Sequence, residues 1–197
     1  MDGRAALAGS GRLGAELEAV AERLRRITVR LRSGRLGEGA GVIWSHDGLV
    51  LSNAHVVHAE PLVIELWDGR RFDAQLRWRD PRHDLAVIAI RCTGLPAAVP
   101  GDATALRSGQ LVLALGHPFG LGNALSLGVV HQPPADLGRN RWIRADISLA
   151  PGNSGGPLAN AAGEVIGLNT LVAGGLGHAI PISVVQRLLQ QRGERAA

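Results

Sequence analysis

Short apolar runs, each closed off within a few residues by turn-forming side chains, constrain this chain more than anything else in it. Val-, Leu- and Ile-rich stretches fall at 40–44, 49–52, 62–67, 70–78 and 85–91, and again at 110–115, 124–131, 141–145, 157–159, 164–172 and 178–181. Most are long enough for a strand and too short for an ordinary helix, and Gly and Pro stand between them. Asp68-Gly69, between two such runs, reads as a hairpin turn. Period-two alternation at Ile27, Val29 and Leu31 adds a strand at the head of the first set, and the stretch Cys92–Asp102, with Pro96 and Pro100, separates the sets. The expectation is an all-β chain of two six-stranded antiparallel β-barrels.

Helical spacing occurs at the two ends. From Leu13 to about Arg26, Leu17, Val20, Ala21 and Leu24 share one face, with Glu16, Glu18 and Glu22 early and Arg23, Arg25 and Arg26 late, an order that complements a helix dipole. A basic amphipathic helix can lie on a membrane, but packing on its own domain is the commoner outcome. Val184, Val185, Leu188 and Leu189 predict a closing helix from Ser183 to about Gln191. The expected division is an N-terminal extension with a helix (1–26, its first 12 residues loose), a first barrel (27–95), a linker (96–107), a second barrel (108–182), and a helix with a tail (183–197).

Composition removes several classes. The formal charge is +4, yet every basic residue other than His is Arg, the arginines are scattered, and neither a base-stacking signature nor zinc-finger spacing accompanies them, so no nucleic-acid partner is expected. Cys92 is the single cysteine, which excludes an intrachain disulfide. Met1–Ser10 lacks an apolar run of signal-peptide length and no stretch approaches the ~20 apolar residues that span a bilayer. The reading is a soluble chain without stable membrane insertion, cytoplasmic, or periplasmic if a leader has been removed. Gly9, Gly11 and Gly14 match the spacing of a dinucleotide-binding loop, but no strand precedes them.

The sharpest chemical motif is Pro151-Gly152-Asn153-Ser154-Gly155-Gly156-Pro157. A serine between glycines can sit on a tight loop with its Oγ exposed and backbone N–H groups converging on one point, an oxyanion hole from Gly152, Asn153 and Ser154, chiefly the first and last. Alone, the motif also fits the nucleophile elbow of an α/β-hydrolase. That enzyme type needs an acid and then a histidine after the serine, and past Ser154 there is no Asp, only Glu164, Glu194 and His178. A subtilisin-type order would have only Asp2 or Asp47 ahead of His55. What remains is histidine, acid, serine: His55 at the end of an apolar run, Asp84 immediately before another, and Ser154. His58 is one helical turn from His55 but no third zinc-type ligand accompanies the pair. Asp80, before Pro81, and Asp102 are competing acids with the look of turn or linker residues. The chemistry asks for neither metal nor organic cofactor.

These motifs together resemble the high-temperature-requirement (HtrA) family of trypsin-like serine proteases, from about Ile27 to Leu189. The carriers are Gly39-Ala40-Gly41-Val42-Ile43 with Asp47-Gly48, Ser52-Asn53-Ala54-His55-Val56-Val57, Asp84-Leu85-Ala86-Val87-Ile88, Gly116-His117-Pro118-Phe119-Gly120, the serine loop through Leu158, and Gly177-His178-Ala179-Ile180-Pro181. The resemblance implies a chymotrypsin-type double barrel and an endopeptidase of bacterial protein quality control, cutting unfolded or misfolded polypeptides through a covalent acyl-enzyme. It also implies a homo-oligomer, although aromatic residues that often hold family trimers near the N-terminus have no counterpart here: there is no Tyr, and Phe72 and Phe119 stand far along the chain. The family's PDZ domains are not within this sequence, and the loops at Gln132–Asn140 and Ala173–Gly177 are short. Ser148, six before the serine, is not acidic, so the substrate pocket should lack a partner for Arg or Lys. Ser148, Leu149, Ala173 and Leu176 are the expected lining, favouring a small or medium aliphatic side chain. The rival reading is a catalytically silent module that binds unfolded chains.

Overall fold

Twelve strands, among the described residues, close into two antiparallel barrels of six, with a helix at each end. The structure is a computed structural model and describes residues 3–35, 37–118, 122–134 and 142–194. After helix α1 (Gly3–Ile27) the first barrel comprises β1 (Thr28–Ser33), β2 (Gly37–Ile43), β3 (Leu49–Ser52), β4 (Leu62–Glu65), β5 (Arg71–Asp80) and β6 (Leu85–Ile90), closed in the order β1-β2-β3-β6-β5-β4. The second comprises β7 (Leu111–Gly116), β8 (Ala124–Gln132), β9 (Ile143–Asp146), β10 (Pro157–Asn160), β11 (Val165–Ala173) and β12 (Leu176–Pro181), in the order β10-β11-β12-β9-β8-β7, and helix α2 (Ile182–Gln191) follows. The strands lie within a few residues of the runs read from sequence. Asp68-Gly69 does turn β4 into β5, with the Leu66 N–H donating to the Arg70 carbonyl at 2.9 Å.

Why some strands are apolar on every residue follows from what each face meets. In β6, Ala86, Ile88 and Ile90 point into the first barrel, where they pack with Val29, Leu31, Ile43, Val50 and Ile64. The alternate residues Leu85 and Val87 face outward and join Val42, Trp44 and Leu51 in the cluster shared with the second barrel. A strand buried on both faces loses the polar alternation of a one-sided strand. Each such fully buried Leu or Val contributes roughly 1.5–3 kcal/mol. This seam joins the two barrels through a shared apolar cluster.

Helix α1 begins earlier than the expected Leu13 and includes residues expected to be loose. The Arg4-Ala5-Ala6-Leu7-Ala8 run consists of strong helix formers, which outweigh glycines that cost ~1 kcal/mol each. Gly11 and Gly14 therefore lie on a helix and not in a dinucleotide-type loop. The helix is anchored through its last turns: Val20, Leu24 and Ile27 are buried in the same cluster as the second barrel, and the Arg23 guanidinium donates to the Ala162 carbonyl at 2.9 Å. Helix α2 buries Ile182, Val184, Val185, Leu188 and Leu189. None of the helices among the described residues is long and apolar enough to cross a membrane.

Candidate active site

Strand register assembles the first half of the site. Ser52, the last residue of β3, pairs with Ala86 in β6, so a residue just beyond β3 meets one just before β6. These are His55 and Asp84. The Asp84 carbonyl accepts from the Ala54 N–H and from the Asn53 side-chain amide, both at 3.1 Å, which fixes the two turns to each other. Asp84 has φ +52°, a left-handed conformation that Asp tolerates better than most residues. The carboxylate faces the imidazole: His55 Nδ1 lies 2.8 Å from Oδ2 and 3.0 Å from Oδ1, and the His55 backbone N–H donates to Oδ1 at 3.0 Å. An ionised carboxylate only accepts, so Nδ1 is the donor of this contact and Nε2 is the ring nitrogen left for other chemistry.

The second barrel brings the serine. Pro157 in β10 pairs with Leu168 in β11, and carried back along the chain that register sets the serine loop beside Asn169 and Thr170. The Gly155 N–H donates to the Asn169 carbonyl at 2.8 Å, and the Asn169 N–H to the Gly156 carbonyl at 2.9 Å. Thr170 is the joint of the site. Its hydroxyl donates to Asp84 Oδ2 at 2.5 Å, while its carbonyl accepts from the Ser154 hydroxyl at 3.0 Å. The Ala40 N–H of β2 donates to the Ser154 carbonyl at 2.8 Å, a second tie across the seam. Gly155 is required here: φ is +84°, and a Cβ would run into the Ala40 carbonyl and the Ser52 hydroxyl.

Burial pushes the Asp84 carboxyl up, but hydrogen bonds from the His55 ring, the Thr170 hydroxyl and the His55 N–H outweigh it and hold the group below its ordinary value. It is therefore a carboxylate at neutral pH. Asp80 and Asp102, the competing acids, serve their own turns: Asp80 accepts from the Arg82 N–H and the His83 ring, Asp102 from the Thr104 N–H and hydroxyl. His58 is exposed, with Nδ1 3.3 Å from the His55 carbonyl.

On the serine loop the backbone N–H groups divide. That of Asn153 donates to the Ala150 carbonyl at 3.0 Å and closes a turn. Those of Gly152 and Ser154 have no backbone acceptor among the described residues. Of the three expected oxyanion donors, Asn153 is the one whose N–H is used by the turn that shapes the loop. Beside the loop opens a cleft of about 410 Å³ lined by Leu149, Ala150, Pro151, Asn153, Ser154 and the β11 segment from Asn169 to Val172.

Residues 39–168 match the model of the trypsin-like peptidase domain, across both barrels and all three residues of the His55, Asp84 and Ser154 cluster. The chain belongs to the trypsin-like peptidase family. Among its relatives the trypsin-like peptidase is 45% identical over 159 residues to the putative serine protease HhoA of Synechocystis sp., covering 74% of this chain and 40% of that protein. It is 37% identical over 167 residues to the serine endoprotease DegS of Haemophilus influenzae, covering 78% of this chain and 49% of the other. The solved structure of the HtrA-type protease AlgW with a tripeptide superposes with a TM-score of 0.81 at 36% identity, covering 88% of this chain and 62% of that one. The chain thus spans about two-fifths to one-half of the length of these curated relatives.

In this trypsin-like peptidase one of the four residues expected to line the substrate pocket lies on this cleft. Leu149 lines the cleft, but Ser148 points to solvent, and Ala173 and Leu176 sit opposite each other at the tip of the β11–β12 hairpin, beyond the wall. The wall residues are instead Asn169, Thr170, Leu171 and Val172. Counting back from the serine cannot show which side of an irregular loop faces the cleft; only the path of the chain decides that. Thr170 was also missed, although a signal existed: Asn169-Thr170 is a polar pair inside an otherwise apolar run, Val165–Val172. Phe119 and Gly120, and most of Gln132–Asn140, lie outside the described residues.

Proposed function

We propose that the chain is a serine endopeptidase in which His55 is the general base, Asp84 its orienting carboxylate and Ser154 the nucleophile. The observation that carries this reading is the double use of Thr170, whose hydroxyl holds Asp84 and whose carbonyl holds the Ser154 hydroxyl, so that side chains from both barrels share one anchor. Rotation of the Ser154 hydroxyl off that carbonyl delivers its proton to the free lone pair of His55 Nε2 as Oγ attacks a peptide carbonyl carbon. The carbonyl π-electrons move onto oxygen, and the N–H groups of Gly152 and Ser154 receive that charge. Collapse breaks the C–N bond, His55 returns the proton to the leaving amine, and an acyl-enzyme remains. Water then repeats the cycle: His55 takes its proton, the hydroxide oxygen bonds the acyl carbon, and Ser154 leaves with the proton restored.

Leu149, Leu171 and Val172 give the cleft an apolar lining, which supports preference for a small or medium aliphatic residue before the scissile bond. Unfolded or misfolded polypeptides are the proposed substrate class, since a narrow cleft beside the serine loop takes an extended segment and not a folded surface. Labelling by a fluorophosphonate probe tests the nucleophile: the native chain should react and Ser154→Ala should not. Labelling that persists in the variant would remove Ser154. One observation favours a second reading, a latent module that binds unfolded chains, because the Ser154 hydroxyl rests on the Thr170 carbonyl. Absence of labelling in both proteins, with retained binding of an unfolded polypeptide, would select it.

A further inference from the structure

His117 follows β7 and is 6% exposed, yet its Nε2 has no hydrogen-bond partner among the described residues. Its Nδ1 accepts from the Asn123 N–H at 3.4 Å, which fixes the neutral tautomer with the proton on Nε2. Protonation would add a second N–H donor, at Nδ1, pointing at the Asn123 N–H, and would place a charge in a buried site, so this seat favours the neutral form. The same residue touches the oxyanion turn. The His117 N–H donates to the Gly152 carbonyl at 3.1 Å, and a Cβ on Gly152, whose φ is +105°, would run into the His117 carbonyl. With the Gly152 carbonyl held by His117 and the Asn153 N–H held by Ala150, the peptide unit beside the Gly152 donor is pinned from both sides.

We propose that His117 is a titratable positioning residue for the oxyanion turn: the neutral ring seats the 117–118 backbone against Gly152, and protonation drives the ring toward water and frees that turn. The inference rests on the endopeptidase reading only for its effect on rate; the coupling of ring to turn stands apart from it. Burial lowers the His117 pKa, and the charge of Arg30 lowers it further. The charges of Glu38 in β2 and Glu65 in β4 act in the opposite direction. Glu38 is paired with Arg30 and Glu65 with Arg71, so neither stands as a free counter-ion for an imidazolium. A lowered value means that the folded state binds fewer protons than the unfolded chain. The neutral seat is intact above the ordinary His value of about 6.5 and is lost as pH falls through the lower folded value.

The test follows the His117 ring and the Gly152 amide by NMR from pH 8 to 4 in the full chain and in His117→Asn, with His117→Gln as a second variant should the first fail to fold. The expected result is a Gly152 resonance that moves with the His117 midpoint, below about 6.5, and loses that movement in the variant. A Gly152 signal indifferent to His117, or a ring that titrates like an exposed histidine, overturns the proposal. In parallel, log kcat/KM should fall more steeply with acid in the native chain than in the variant, each normalised to its own plateau. Superimposable acid profiles in two active proteins also overturn it. Coupled resonances in a chain without hydrolytic activity would sink the endopeptidase reading and leave the coupling standing.

Discussion

At Asp84 a single carboxylate meets three donors, and its replacement by Asn isolates what the charge does. Asn accepts the left-handed φ at this position, so Asp84→Asn should fold. Its amide, however, presents a donor to the His55 ring and reverses the tautomer; kcat should drop on the order of 10⁴-fold with KM little changed, read from steady-state kinetics on a peptide substrate. Thr170→Val removes one charge-assisted hydrogen bond to that carboxylate while leaving the backbone carbonyl that holds Ser154. Such bonds contribute ~1.5–3 kcal/mol, so kcat/KM should fall roughly ten- to hundredfold, and Thr170→Ser should restore most of it. A Thr170→Val enzyme as fast as the native one would mean that Asp84 is oriented by its own turn alone.

Among the elements, β11 serves both stability and the site, whereas α1 serves stability. Strand β11 is buried from Val165 to Thr170 and then emerges as Leu171 and Val172, 45% and 52% exposed, along the cleft. Replacing Val172 with Asp would put a carboxylate on an apolar wall; a peptide-library profile should shift away from aliphatic residues before the scissile bond while folding is unaffected. Unchanged specificity would place the pocket elsewhere. Helix α1 rests on the molecule through Val20, Leu24 and Ile27, and Leu24 is fully buried. Leu24→Ala should cost ~2–5 kcal/mol in urea unfolding. Because no α1 residue contributes to the His55 cluster, the folded variant should retain the native kcat.

For the whole molecule, acid should act in two stages, both legible from signs. The neutral seat of His117 is the first to weaken, from about pH 6.5 downward, because its folded pKa is lowered. The contributions of Asp84 and Asp80, whose folded values are also lowered, persist to about pH 3.9 and are lost as pH falls through those lower values. A plot of urea midpoint against pH should show both declines; His117→Asn should shrink the first, to which His178, also lowered by burial, contributes as well, and leave the second unchanged. Sequence reasoning reached this molecule unevenly, for physical reasons. Strand positions, the turn at Asp68-Gly69 and the order His55, Asp84, Ser154 are local or ordinal properties, written in apolar periodicity and in which residues can follow which. They needed no coordinates. The extension of α1 to Gly3, the occupation of the Asn153 N–H, the departure of Ser148, Ala173 and Leu176 from the cleft, and the role of Thr170 depend on which face of a loop or strand meets another barrel. Those relations arise from register and packing between segments far apart in the chain, or, for the helix, from a balance of small propensities, and so they were decided by the tertiary structure.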